Sequence, residues 1–98
     1  MSRVELSEAA ARDIDELLEQ SLIDFGVRQT EFYYAALTRC LERLGDHPEL
    51  GGTAEDLRPG YRRFPHERHV IFYTIRAGGI FIVRILHQRR DAVRNLQE

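Results

Sequence analysis

The amino-acid sequence predicts an α+β domain in which an α-helical hairpin packs on one face of a mainly antiparallel sheet. Two consecutive segments in the first half carry apolar residues at helical spacing, whereas two apolar runs in the second half are rich in β-branched and aromatic residues. Gly78-Gly79 separates these two runs, as in a tight β-hairpin. We expect residues 1–98 to form a single domain, because 98 residues suffice for one small core.

The first predicted element is a short strand at residues 3–6, alternately polar and apolar, which we expect to add to an edge of the sheet. Ser7 then suits the N-cap of a helix that extends to about residue 24 and is stopped by Gly26. The apolar positions of this helix recur every three or four residues: Ala10, Ile14, Leu17, Leu18, Leu22 and Phe25.

A second helix is predicted from about residue 28 to residue 44, before Gly45 and Pro48. One side of it is apolar and consists of Tyr33, Ala36, Leu37, Cys40, Leu41 and Leu44. Because only a short link through Gly26-Val27 separates the two helices, we expect them to be antiparallel neighbours. We expect the apolar stripe of these two helices to be buried against the sheet.

The second half predicts three strands followed by a short helix. The strands are at residues 61–64, 70–75 and 80–86. Pro65 cannot donate a ladder hydrogen bond, so it ends the first of these strands or marks an edge. Asp91 suits the cap of a short C-terminal helix at residues 92–96.

The strand pair around Ala77-Gly78 is predicted to carry one charged residue, Arg84, among apolar side chains. Because side chains alternate between faces along a strand, five apolar residues are expected on the same face as Arg84: Ile71, Tyr73, Ile75, Ile80 and Ile82. Arg84 is expected directly opposite Ile71. Such an arginine is either paired on a wet functional surface or paired structurally with a carboxylate, and the sequence leaves both open. We expect the helices to cover the opposite face and a partner to use the face of Arg84.

The charge distribution is strongly asymmetric, although the net charge is only −2. Residues 1–57 carry a net charge of −8, and residues 58–98 carry +6. All fourteen basic residues are arginine, which excludes Schiff-base chemistry and a lysine general base. The basic half suits nucleic-acid phosphates or acidic protein groups, and we favour protein groups because the total charge is not basic.

No motif for a membrane span or an exported chain is present. Cys40 is the only cysteine, which excludes a disulfide within the chain, and no apolar run approaches the roughly 18 residues of a span. The N-terminal residues lack the charged and apolar regions of a signal peptide. We therefore expect a soluble, cytoplasmic protein with no membrane partner.

Metal binding and nucleophilic catalysis find little support in the sequence. His66, Glu67, His69 and His87 form the only cluster of ligand types, but His66 and His69, at a strand entrance, are expected to point to opposite faces. Cys40 lies on the apolar stripe of the second helix, where it serves as a small hydrophobe. We predict no metal and no cofactor, and histidines that hydrogen-bond locally.

Three motifs resemble, in their order and spacing, the ParE branch of the RelE/ParE toxin superfamily from bacterial type II toxin–antitoxin modules, the plasmid stabilisation family. They are LRPGYRRF at residues 57–64, HVIFY at residues 69–73 and IVRILHQRRD at residues 82–91. The resemblance extends over nearly the whole chain, since Gly26 between the helices and the exit LGDHP at residues 44–48 are similar too.

The resemblance implies a toxin that binds and poisons DNA gyrase and has no catalytic residues. It also implies a cognate antitoxin, ParD-like, with a ribbon-helix-helix dimer that binds operator DNA and a tail that wraps around the toxin. An acidic, amphipathic tail suits a row of arginines, which offer bidentate bonds to carboxylates. The predicted contacts with target or antitoxin are Arg58, Arg62, Arg63, Tyr73, Arg84, His87, Arg89 and Arg90.

The RelE branch is the alternative, a ribosome-dependent mRNA endonuclease of the same fold. Its members use basic residues with a lysine or histidine base, and often a late tyrosine, whereas this sequence has no lysine and no tyrosine after Tyr73. If the protein is a ribonuclease, its candidate catalytic residues are Arg62, Arg63, Arg84 and His87.

Overall fold

The computed structural model describes residues 3–96 as a five-stranded sheet with a long helical element on one face. The elements in chain order are β1 (Arg3–Leu6), α1 (Glu8–Asp46), a 3₁₀ turn (Pro48–Leu50), β2 (Gly52–Thr53), β3 (Tyr61–His66), β4 (His69–Arg76), β5 (Gly79–His87) and α2 (Ala92–Asn95). The predicted α+β class, with its short N-terminal strand and short C-terminal helix, is confirmed.

Element α1 is a helical hairpin rather than one continuous rod. Gly26 has φ 86° and ψ 178°, which lie outside the helical region. Glycine adopts this conformation without steric cost because it has no Cβ. A straight helix of 39 residues is ~58 Å long, whereas the longest dimension of the protein is 38 Å. The predicted break at Gly26 is therefore confirmed, as is the cap at Ser7, whose Oγ accepts the N–H of Ala10 at 2.9 Å.

The sheet has the strand order β1-β5-β4-β3-β2. Strands β2 to β5 pair antiparallel, and β1 pairs parallel to β5 at one edge. The predictions of a mainly antiparallel sheet and of an edge position for the first strand are confirmed. Strand β3 continues past Pro65 to His66, and Pro65 lies beyond the end of β2, on the open edge of the sheet.

The β4–β5 hairpin turns at Ala77-Gly78 as predicted, but its register changes further along. An irregularity between Phe72 and Tyr73 shifts the pairing by one residue, so that Arg84 lies opposite Phe72. The prediction that Arg84 lies opposite Ile71 is therefore wrong. A β-bulge adds a residue to one strand, and simple alternation does not anticipate it.

The main core lies between α1 and one face of the sheet. Its buried side chains come from both arms of α1 and from β4 and β5: Ala10, Ile14, Leu37, Leu41, Leu44, Ile71, Tyr73, Ile80, Ile82 and Ile85. This face contains Tyr73 and Ile82, so the expectation that it remains for a partner is wrong. The apolar stripe of the hairpin covers it because that burial removes the most apolar surface from water.

A smaller apolar cluster lies on the other face of the sheet. The loop before β3 and the segment around α2 cover it, and its members are Phe72, Leu86, Leu96, Leu57, Tyr61, Val70, Val83 and Ala92. Both faces of the central strands are thus covered at least in part.

Candidate functional site

Arg84 of β5 forms a bidentate ion pair with Asp13 of α1. Its Nε and Nη2 atoms donate to the two carboxylate oxygens at 2.8 and 2.9 Å, and its Nη1 donates to the carbonyl oxygen of Asn95 at 3.0 Å. Asp13, only 4% exposed, also accepts the backbone N–H of Ile85 at 2.9 Å. The structural pairing that the sequence left open is therefore present, and it joins α1, β5 and α2.

This ion pair positions the basic C-terminal segment. Arg84 holds the last residue of α2, Asn95, by its carbonyl oxygen, and Asp91 caps the first turn by accepting the N–H groups of Val93 and Arg94. The guanidinium of Arg90 donates to the side-chain oxygen of Asn95. A short helix, which has little intrinsic stability, is thereby held against the sheet.

Tyr73 is fully buried, so its role is within the fold. Its hydroxyl donates to the carbonyl oxygen of Pro48 at 2.6 Å and accepts the N–H of Gly51 at 2.9 Å. These two bonds attach the 3₁₀ turn to the core. Tyr73 presents no surface to a partner in this conformation.

Arg62 and Arg63, adjacent on β3, are bonded to different parts of the chain. Arg62 donates through Nε and Nη2 to the carbonyl oxygen of Gly51 at 3.1 and 2.8 Å. Arg63 pairs with Asp56 at 2.8 Å, with both side chains well exposed to solvent. Because neighbouring strand residues point to opposite faces, these two guanidinium groups do not act on one ligand.

His87 belongs to a row of three histidines that crosses β3, β4 and β5. His69 pairs with His66 in one direction and with His87 in the other, and the rings of His69 and His87 meet edge to face at 5.5 Å. Directly paired residues share a face of the sheet, so the expectation that His66 and His69 point to opposite faces is wrong. Tyr33 of α1 covers the row, with its hydroxyl 3.5 Å from Nδ1 of His69. The histidines thus pack locally, and no group of three or more His, Cys, Asp or Glu residues in the range 3–96 is arranged to hold a metal ion.

Burial affects the protonation of this cluster. Partial burial, reinforced by His87 and His66 and opposed by Asp13, lowers the pKa of His69 below its ordinary value. Burial and the charge of Glu67 raise the pKa of Tyr33. Both groups therefore stay uncharged near neutral pH, which suits an interior contact between a helix and a sheet.

The remaining predicted contacts, Arg58, Arg89 and Arg90, are all exposed. Leu57, adjacent to Arg58, and Ala92, two residues after Arg90, pack into the same small cluster on the face opposite the helical hairpin. The two segments that carry these arginines therefore meet at this cluster. We refer to Arg58, Arg89 and Arg90 as the arginine surface.

The four candidate ribonuclease residues are bonded in separate places. Arg84 is bound to Asp13, Arg62 to Gly51 and Arg63 to Asp56, whereas His87 accepts the N–H of Arg89 on its Nδ1 at 3.1 Å. A cleavage site requires such groups to converge on one phosphate and its leaving oxygen. Their contacts in this structure do not bring them together.

Two features were missed from the sequence. Asp13 was not identified as a candidate, although it lies three residues after Ala10 and four before Leu17 on the apolar stripe, which is a signal for a buried partner. Leu22 and Phe25 belong to the predicted stripe but are exposed, because the hairpin residues that pack on the core end at Leu18 and resume at Tyr33.

Within residues 3–96, no helix is both long enough and apolar enough to cross a membrane.

Comparisons with known proteins agree over nearly the full chain. The family model described as "ParE toxin of type II toxin-antitoxin system, parDE" matches residues 4–92. Toxin ParE1 of Mycobacterium tuberculosis is 38% identical over 96 residues, covering 97% of this chain and 98% of the relative. Toxin ParE1 of Caulobacter vibrioides is 36% identical over 92 residues, covering 94% and 95%.

A solved structure extends the likeness to the fold. The structure titled "Chromosomal ParDE TA system from P. aeruginosa" superposes with a TM-score of 0.73 at 17% identity, covering 89% of this chain and 96% of that one. The family match, the relatives and this fold lead to one conclusion. The chain belongs to the ParE toxin family and is the toxin component of a type II toxin–antitoxin system.

Proposed function

We propose that this toxin inhibits DNA gyrase by binding it and catalyses no reaction of its own. Membership of the ParE family supports the choice of target. One structural observation supports the absence of catalysis: the four groups that RNA cleavage would need are each bonded within the fold, in separate places. A protein with this arrangement acts through its surface.

We further propose that a cognate antitoxin, ParD-like and carrying a ribbon-helix-helix dimer, neutralises the toxin. The arginine surface is the site at which an acidic tail of the antitoxin docks, because exposed guanidinium groups offer bidentate bonds to carboxylates. Tyr73 and Arg84 contribute indirectly, by holding the 3₁₀ turn and α2 in place. The toxin reaches operator DNA only through the antitoxin, and both act in the cytoplasm.

The experiment that tests this function compares two activities of the same purified, folded protein. In the first, gyrase supercoils relaxed plasmid with and without the toxin, and both inhibition and trapped cleaved DNA are scored. In the second, the toxin is incubated with translating ribosomes and the mRNA is examined for cleavage. We expect gyrase inhibition and intact mRNA.

Variants of the ribonuclease set sharpen the comparison. His87→Gln removes the only candidate base in that set and is expected to leave inhibition unchanged. Cleavage of mRNA by the wild type, abolished in His87→Gln, would replace the gyrase proposal with a RelE-type activity.

A further inference from the structure

Large apolar side chains are exposed at the far end of the helical hairpin. Six of them are between 47 and 72% exposed: Leu22, Ile23, Phe25, Val27, Phe32 and Tyr34. All lie within eight residues of Gly26, where the chain reverses. We refer to these six residues as the hairpin tip.

The exposed area is large for a single domain of this size. At roughly 100 Å² for each half-exposed large side chain, the six side chains together expose about 600 Å² of surface. This area is divided among different sides of the two arms, because side chains two residues apart, such as Phe32 and Tyr34, point in nearly opposite directions around a helix. Apolar patches of ~300–600 Å² on monomeric proteins are often functional.

The tip is presented on an ordered turn. The hydroxyl of Thr30, which is buried, donates to the carbonyl oxygen of Gly26 at 2.8 Å, and its Oγ1 lies 2.8 Å from Oγ of Ser21 on the other arm. These bonds tie the two arms together immediately behind the exposed side chains. A preorganised surface loses less conformational entropy on binding.

The charges around the tip indicate which partner fits. Glu19, Asp24 and Glu31 are exposed acids within residues 19–34, and Arg28 is the only basic residue there. Packing two copies tip to tip would bring two acidic rims together, which disfavours self-association. A partner with an apolar recess and a basic rim is complementary.

An enzyme that handles DNA offers such a rim, because it must hold the phosphate backbone with lysine and arginine. We infer that the hairpin tip is the surface by which this toxin docks on its target enzyme, in an apolar recess bordered by basic residues. This inference rests on the proposed function. The tip binds the target, whereas the arginine surface binds the antitoxin.

Two single substitutions at the tip test the inference. Ile23→Ser and Phe32→Ser remove the most exposed side chains, so neither is expected to unfold the protein. The control is Ile75→Ser, which replaces a 48% exposed side chain on β4, away from the tip. Each variant is measured for gyrase supercoiling inhibition, for growth arrest on expression in bacteria, and for affinity toward the co-purifying antitoxin.

We expect each tip variant to need about 30-fold more protein for half-inhibition of gyrase, as for loss of a hot-spot side chain, and to arrest growth poorly. Antitoxin affinity should stay within about twofold, and Ile75→Ser should match the wild type. Unchanged inhibition and growth arrest in both tip variants would overturn the inference. Loss of antitoxin affinity with full inhibition would overturn it too, by assigning the tip to the antitoxin.

The growth-arrest measurement separates failure of the inference from failure of the gyrase proposal. If the wild type arrests growth without inhibiting gyrase, the gyrase proposal fails. Loss of arrest in the tip variants alone would then still support the tip as the docking surface for another target. A wild type that neither inhibits gyrase nor arrests growth would contradict both.

Discussion

Asp13 and Arg84 are 71 positions apart in sequence, yet their side chains form a two-point ion pair that joins the first arm of α1 to β5. Asp13 also accepts the N–H of Ile85, and Arg84 also holds the carbonyl oxygen of Asn95. One pair of side chains thereby connects the helical hairpin, the sheet and the C-terminal helix. The arrangement assigns Arg84 a structural role and makes the position of α2 depend on it.

Removing one partner of this pair is expected to cost more than removing both. Asp13→Ala leaves the guanidinium of Arg84 and the N–H of Ile85 without their acceptor, and should lower the free energy of unfolding by about 3–5 kcal/mol. The double variant Asp13→Leu, Arg84→Met should lose less stability than Asp13→Ala alone. Urea unfolding measures all of these values, and a loss below about 1 kcal/mol in Asp13→Ala would contradict the structural role.

The close contact between Gly51 and Tyr73 leads to a second prediction, for which the adjacent Gly52 serves as the control. A Cβ at Gly51 would overlap the hydroxyl of Tyr73 and lie 2.8 Å from the carbonyl oxygen of Arg63, whereas a Cβ at Gly52 would meet no atom within 4 Å. Gly51→Ala should destabilise the protein by about 1–3 kcal/mol through this overpacking. Gly52→Ala should stay within about 0.5 kcal/mol in the same thermal or urea unfolding experiment. Equal effects of the two changes would show that the turn does not pack as described.

The histidine row predicts a loss of stability in mild acid. Because the pKa of His69 is lowered in the folded state, the unfolded state binds the proton more tightly. The contribution of neutral His69 is complete above the unfolded pKa of about 6.5 and is lost as the pH falls toward the lower folded value. The free energy of unfolding should therefore fall between about pH 7 and pH 5.

A substitution of His69 tests whether the histidine row causes this loss of stability in acid. His69→Gln should show a shallower pH dependence than the wild type, since one titrating group is removed. His47→Gln, at an exposed position after α1, should keep the full dependence. If the wild type and His69→Gln have superimposable profiles, His69 does not carry the effect.

The arginine surface predicts how the antitoxin binds. Reversing the charge in the triple variant Arg58→Glu, Arg89→Glu, Arg90→Glu should weaken the complex with the co-purifying antitoxin by tenfold or more, roughly 1.4 kcal/mol. The control is Arg12→Glu, which reverses an exposed charge on α1, away from the arginine surface. It should leave the affinity for the antitoxin within about twofold of the wild type. Calorimetric titration gives both values, and equal affinities for the triple variant and the wild type would remove the arginine surface from the complex.

The sequence predicted the elements of the fold well because its signals there are local. The glycine at position 26, the cap at Ser7 and the turn at Ala77-Gly78 each act within a few residues, and the structure confirms all three. The alternation in β4 and β5 predicted which residues share a face only as far as Tyr73. The bulge beyond it, which moved Arg84 away from Ile71, depends on packing between elements.

The candidate site was less predictable, because exposure depends on which surfaces meet. Tyr73 and Arg84 were assigned to a partner-facing sheet surface, but the hairpin covers the face of Tyr73, and Arg84 lies opposite Phe72 and pairs with Asp13. Conversely, Phe25 follows the helical periodicity and still lies outside the core, because the hairpin residues that pack on the core end at Leu18 and resume at Tyr33. Periodicity indicates a face, and only the tertiary arrangement determines how far along that face burial extends.

The most direct test of the central claim is a gyrase supercoiling assay in which antitoxin is titrated into a fixed, inhibitory concentration of the wild-type toxin. A toxin that acts by binding gyrase, and is neutralised by its antitoxin, predicts inhibition that is relieved as the antitoxin approaches equivalence. Full supercoiling activity in a large excess of folded toxin, before any antitoxin is added, would contradict the claim.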